Sequence, residues 1–371
     1  ADGVTIDIIA SLGSVPDLLV IAAATMLRYR DPNVAPRQAG AEVGARYVLT
    51  GDIERHDQRL AFRQRLVDVA SGELLWTDFV EANLDDLHGL QHYIVARVVN
   101  GIVPHVGDAE IDRAMLKPPA NLTAYDLVLR ALPAMRRLDR GGLEDSRQLL
   151  SGARQSDPRF ARAFALGARI HSLRIGQGWA ANREVESARA MRLARTAIAL
   201  DPDNSVALAT AAHLHSFLYR EYDRALELFG RAIEACHNDP VAWSLSSATL
   251  SYVSRPIEAL RRAEHAIRLS PMDHSIHQLY LFVGIGHFGN GDYDAAEAWT
   301  RRALAENPKY TASLKFLIAS LVGQGRIGEA REIARELRRL EPCFAATGGR
   351  FIPFADPLLR QRYIQQLRTG G

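Results

Sequence analysis

The 371-residue sequence is short of several residue types, and each shortage excludes something. Two cysteines, Cys236 and Cys343, cannot build a disulfide framework, and so low a count points to a reducing compartment. Of the 45 cationic side chains only Lys117, Lys309 and Lys315 are lysines. Against 43 acidic residues the net charge is +2, and no block of five like charges marks a nucleic-acid-binding stripe. The longest mainly apolar run, Leu18–Leu27, has ten residues with Thr25 inside it, about half of a membrane span. Ala1-Asp2-Gly3 has neither an initiator Met nor the basic opening of a signal peptide, so the chain reads as a soluble, cytoplasmic fragment. No Gly-x-Ser-x-Gly elbow and no His-Glu-x-x-His pair occurs. With 47% apolar and 24% charged residues, the composition is nonetheless that of a folded globular chain.

What the sequence does have is internal repetition. Helix-ending dipeptides recur as Asp157-Pro158, Asp201-Pro202, Ser270-Pro271, Asn307-Pro308 and Glu341-Pro342. Twelve residues before such a proline stand Ala190, Ala259, Ala296 and Ala330, and five before it stand Ala153, Ala197, Ala266 and Ala303. Small residues at those spacings let two helices cross closely, and the late proline ends the second one. Pro308 to Pro342 is 34 residues, and the stretch resembles the tetratricopeptide repeat. Six units follow from these anchors: Ala124–Phe160, Ala161–Asn204, Val206–Asp239, Pro240–Asp273, His277–Tyr310 and Thr311–Phe344. No single helix pair can bury its apolar face, so stacking supplies the core and the ends need caps. Leu358, Leu359, Tyr363, Ile364 and Leu367 at helical spacing predict that cap. The expected fold is mainly α: a small α/β domain over 1–117, the α-solenoid over 118–344 and a capping helix within 345–371.

The first 117 residues lack the repeat. Val4, Ile8, Ile9 and Leu12 follow a helical period, and Leu18–Ala22 reads as a short buried strand. A short helix at Gln38–Val43 precedes three strand-like runs, Tyr47–Ile53, Leu60–Val69 and Leu74–Val80. Leu87, Leu90, Ile94, Val98 and Ile102 then stripe a long helix. The segments Leu19-Val20-Ile21-Ala22, Val43-Gly44-Ala45-Arg46-Tyr47-Val48-Leu49-Thr50-Gly51 and Leu66-Val67-Asp68-Val69-Ala70-Ser71-Gly72 are similar to the TolB-amino-terminal-like domain. Pro118-Pro119-Ala120-Asn121-Leu122-Thr123-Ala124-Tyr125-Asp126 resembles that domain's junction with tetratricopeptide repeats.

The resemblance implies a placement. In bacteria this pair of domains follows a class III adenylate or guanylate cyclase domain, or a winged-helix regulator. The chain would then be the non-catalytic, regulatory half of a signalling protein, with an upstream effector domain and a protein or peptide partner. The family's catalytic aspartates have no counterpart in this sequence, and no cofactor or metal is expected. The family's first strand would precede Ala1, which leaves a sheet edge open for association between copies.

The remaining chemical signals have plain structural readings. Gly284-Ile285-Gly286-His287-Phe288-Gly289 fits the dinucleotide pattern, yet it lies inside a repeat helix with no strand before it. His88 and His92 are four apart on one helix but lack a third ligand, and His213 and His215 fall on different faces. His274 and His277 read as loop residues. Arg136-Arg137, Arg261-Arg262, Arg301-Arg302 and Arg338-Arg339 sit late in helices, where positive charge complements the helix dipole.

The first helix of each unit supplies a concave wall that includes Arg162, Arg169, Leu214, Phe217, Val241, Tyr252, Gln278, Leu281, Phe288, Lys315 and Val322. Lys315 alone, without paired asparagines, does not make a carboxylate clamp. An aromatic-aliphatic groove suits an apolar peptide or helix. The same side chains could equally be core within the repeats, or lie beneath the amino-terminal domain. The sequence leaves these readings open.

Overall fold

Where apolar residues alternate, the chain forms strands, and where they recur every three or four residues it forms helices. The computed structural model describes residues 2–13, 15, 18–29, 34–56, 59–83, 87–270, 274–342, 344 and 354–371, without the side chains of 2, 55–56, 82–83 and 87–93. They fall into two units, Ala1–Leu116 and Lys117–Gly371.

The first unit runs α1 (Asp2–Gly13), α2 (Ala23–Met26), α3 (Pro36–Val43), β1 (Tyr47–His56), β2 (Arg59–Asp68), β3 (Leu74–Asn83) and α4 (Leu87–Leu116). The strands form an antiparallel sheet in the order β1-β2-β3, with Leu49 opposite Leu66 and Phe62 opposite Val80. Phe62, Leu66 and Val80 join Ile94, Val98 and Ile102 of α4 in one core. On the opposite face Asp52 pairs with Arg63 at 3.6 Å and with Arg65 at 3.2 Å. Glu110 of α4 accepts from Arg46 at 2.7 Å, from the Tyr47 hydroxyl at 2.6 Å and from Arg113 at 2.8 Å. Arg113 also donates to Asp68 at 2.6 Å, so one fully bonded network fastens α4 to β1 and β2.

Leu18–Ala22 corrects the sequence reading. No strand forms there, and Leu19 is 97% exposed, while Leu18 and Val20 pack against the core. A short apolar run does not itself specify a ladder partner, and here the chain passes straight into the helical turn of α2.

The second unit is a stack of six helix pairs. They are α5 (Ala124–Arg136) with α6 (Arg140–Ser156), α7 (Ala161–Gly176) with α8 (Arg183–Leu200), and α9 (Ser205–Leu214) with α10 (Tyr222–Ala235). Then come α11 (Pro240–Tyr252) with α12 (Pro256–Leu269), α13 (Ile276–Gly289) with α14 (Tyr293–Glu306), and α15 (Thr311–Gly323) with α16 (Ile327–Leu340). A last helix, α17 (Pro357–Gly370), packs on α15 and α16.

The anchor alanines explain the stacking. Ala190, Ala197, Ala259, Ala266, Ala296, Ala303 and Ala330 are all buried at the crossings. Gly284 is needed for the same reason, because a Cβ there would lie 3.0 Å from Thr300 Cγ2 and 3.4 Å from the Ala296 carbonyl. Helix starts are set by Thr123, Asp139, Asn182, Asn204, Asp239 and Asp292, whose side chains accept from first-turn amides. The second helices end alike. Asp201 donates its amide to Ala197, Asn307 to Ala303 and Glu341 to Leu337, and Asp201 and Asn307 leave their helices in an extended conformation.

Candidate functional site

The first helices α7, α9, α11, α13 and α15 neighbour one another in series and make one wall. Part of the wall is polar, built by residues of α7, α9 and α13 and by the start of α11. Arg169 of α7 reaches the Gln278 side-chain oxygen of α13 at 3.5 Å. His213 stacks on Phe217, with ring centroids 5.1 Å apart. Burial, with the nearby Arg169 charge, pushes the His213 imidazole down to about 3. Asp239 caps α11 through the Val241 amide, and burial pushes its carboxyl above the usual carboxylate range. After α9 the helix widens into a π-turn over His215–Tyr219, which ends at Arg220 with φ +58°.

Towards the carboxy-terminal end the wall is aromatic and filled. Phe288 of α13 is fully buried, its ring centroid 5.6 Å from Phe316 of α15, 6.3 Å from Phe354 and 5.5 Å from Tyr363 of α17. Tyr252 at the end of α11 lies 6.2 Å from Phe354, edge to face. The Ala355 amide donates to the Tyr252 carbonyl at 2.7 Å. The segment Phe354–Gly370 therefore crosses the wall from the fourth pair to the sixth.

Each residue expected on the wall can now be placed. Tyr252, Gln278, Leu281, Phe288 and Leu214 are buried, whereas Arg162, Arg169, Phe217, Val241, Lys315 and Val322 are half-buried. Tyr252 and Phe288 come together through Phe354, and Arg169 meets Gln278. Lys315 instead pairs with Glu341 at 2.6 Å. Glu341 also lies against Gly178, where φ is +69° and a Cβ would fall 2.4 Å from the Glu341 carboxyl carbon.

Three residues that sequence reasoning passed over shape this site. Gln177, just after α7, accepts from Thr311 at the start of α15. Phe354 is fully buried on the wall. Phe316 supplies the third wall aromatic, its ring 6.2 Å from Phe354, and no repeat spacing marked it.

His277 lies in the first turn of α13, buried against Tyr310, and not in a loop, because α13 already begins at Ile276. His215 bonds Glu221 at 2.5 Å, and no group of three or more metal-ligating side chains occurs among the described residues. The His88 and His92 side chains, and Cys343, lie outside the described residues. A cleft of about 1020 Å³ between α8 and α10 is lined by Arg195, Arg220, Arg224 and Arg231, with Glu221 and Asp223 on the same rim.

No family model matches the chain. It is 29% identical over 165 residues to the protein named Putative adenylate cyclase 3 of Rhizobium meliloti (strain 1021), over 44% of this chain and 28% of that one. It is 33% identical over 156 residues to heat shock protein STI1 of Saccharomyces cerevisiae, over 42% of this chain and 23% of that one. The chain thus spans under a third of either relative's length. Among solved structures it is similar to an IFIT1 monomeric mutant with Gppp-AAAA, at 12% identity and a TM-score of 0.52, covering 75% of this chain and 64% of that one. Its structural neighbours include tetratricopeptide-repeat proteins. The fold is a tetratricopeptide α-solenoid preceded by a small three-stranded antiparallel sheet with helices.

Proposed function

We propose that this chain is the non-catalytic regulatory region of a bacterial cyclase-type signalling protein and that its repeats recruit a protein or peptide partner. The observation that carries the reading is the 165-residue similarity to the Rhizobium meliloti protein named as an adenylate cyclase. The solenoid supports it physically, since a series of first helices is a surface that suits polypeptide recognition. In this reading residues 1–117 are the TolB-like domain, residues 118–344 carry the partner-binding wall, the last residues from 345 cap it, and the protein works in the cytoplasm.

The test uses the gene product that carries this chain. The intact product should convert ATP or GTP to a cyclic nucleotide, and deletion of residues 117–371 should change that rate several-fold. The isolated chain should form no cyclic product. A gene product without cyclase activity, or one indifferent to loss of the repeats, would overturn the reading.

A further inference from the structure

A solenoid needs its last helix pair covered, and α17 does that on its own. Its Gly370 packs against Ile318 and Val322 of α15 and Ala330 of α16. Phe354 does something a cap does not require. It precedes α17 and reaches back across two earlier units, with its ring 6.2 Å from Tyr252, 6.3 Å from Phe288 and 6.2 Å from Phe316. Each of those aromatics comes from the first helix of a different pair. The main chain takes part as well, because the Ala355 amide donates to the Tyr252 carbonyl, an acceptor freed where α11 ends.

The occupying segment is organised within itself. Asp356 accepts from the Leu358 amide at 2.8 Å and so caps α17, and Arg360 reaches the Ala355 carbonyl at 3.4 Å. Leu359 and Tyr363 turn inward, while Leu358 is 71% exposed. An aromatic residue, an Asp-Pro helix start and a second aromatic nine residues later thus follow one another along the occupying segment.

Resting on the reading of the repeats as a partner-binding module, we propose that the wall made by α11, α13 and α15 is a polypeptide-binding surface with Phe354–Tyr363 as its built-in occupant. The partner it fits is a polypeptide of the same chemistry: an aromatic just ahead of a helix, then the helix itself bearing a second aromatic on its inward face. An occupant tethered to the same chain competes at an effective concentration on the order of millimolar. A free partner must therefore bind the open wall more tightly than the tethered segment, or meet a chain whose own segment has been weakened.

The test is a fluorescence-anisotropy titration of a labelled peptide of residues 354–371 against the full chain and its Phe354→Ala variant. The variant should bind the peptide at least thirtyfold more tightly than the unaltered chain does. A peptide with alanine in place of its first aromatic should lose that binding. If Phe354→Ala fails to fold by circular dichroism, Phe354→Leu, which keeps most of the volume, serves in the same comparison. Equal binding by the unaltered and variant chains, or no binding by a folded variant, overturns the proposal. Either failure leaves the cyclase measurement untouched, so the two readings fail separately.

Discussion

Gln177 accepts two hydrogen bonds from Thr311, one from its amide at 3.0 Å and one from its hydroxyl at 2.5 Å, across 134 residues of sequence. Both residues are buried, so the bonds form where water does not compete. They join the end of α7 to the start of α15, and beside them Gly178 meets Glu341. The wall of first helices thus closes upon itself between the second pair and the sixth. Removing the acceptor by Gln177→Ala leaves two buried donors unmet, at a cost of ~1–3 kcal/mol. The thermal midpoint of the variant should fall by several degrees. An unchanged midpoint would show that the contact does not hold the array closed.

Phe288 makes a sharper case. It touches Phe316, Phe354, Tyr363 and Tyr293 with no exposed surface. Phe288→Ala should therefore behave as a core truncation and cost ~3–5 kcal/mol of stability, read by denaturant unfolding. A loss below about 1 kcal/mol would mean that the ring is solvated and that the carboxy-terminal segment does not sit on it.

Stability should depend on pH through His213. Burial holds this ring down to about 3 in the fold, whereas an unfolded histidine titrates at about 6.5. Below about 6.5 the unfolded chain takes up a proton that the folded chain refuses. The folded state is thus fully favoured above that pH and loses up to about 1.4 kcal/mol per pH unit as pH falls towards 3. His171, also pushed down chiefly by burial, acts with the same sign, and Asp239, pushed up by burial, acts with the opposite sign. Unfolding midpoints at pH 7.5 and 5.5 should differ more for the unaltered chain than for His213→Gln. Equal differences would contradict the burial of a neutral ring.

Cys236 caps the end of α10 and is buried, which pushes its thiol up to about 11. The thiolate is the reacting species, so the native chain should label slowly at this position and rapidly once unfolded. Mass spectrometry of the Cys236 peptide after timed alkylation reads the difference, and rapid labelling of the native chain would contradict the packing.

Much of this architecture was legible because its signals are local. The alanine and proline spacings that set the helix crossings lie within one 34-residue unit, so the helical repeat could be read from them. The three strands were legible from alternation, although they run up to three residues longer than the apolar runs. Leu18–Ala22 was misread because a short apolar run looks the same as a strand or as an irregular packed segment. The wall posed a different difficulty. The helix around Leu281, Phe288 and Gly284 is apolar on every side, so periodicity could not say which face met solvent. What covers Tyr252 and Phe288 comes from residue 354, and what closes the wall comes from residues 177 and 311. Those contacts have no repeat and no fixed spacing, so no local pattern announces them.

The chain's own carboxy-terminal segment occupies the wall of α11, α13 and α15, and hydrogen exchange at the Ala355 amide reads that occupancy, because this N–H is bonded to the Tyr252 carbonyl at 2.7 Å. In the full chain it should exchange far more slowly than in a free peptide of residues 354–371, and Phe354→Ala should remove that protection while α13 and α14 keep theirs. Exchange at the free-peptide rate in the unaltered chain would contradict that occupancy.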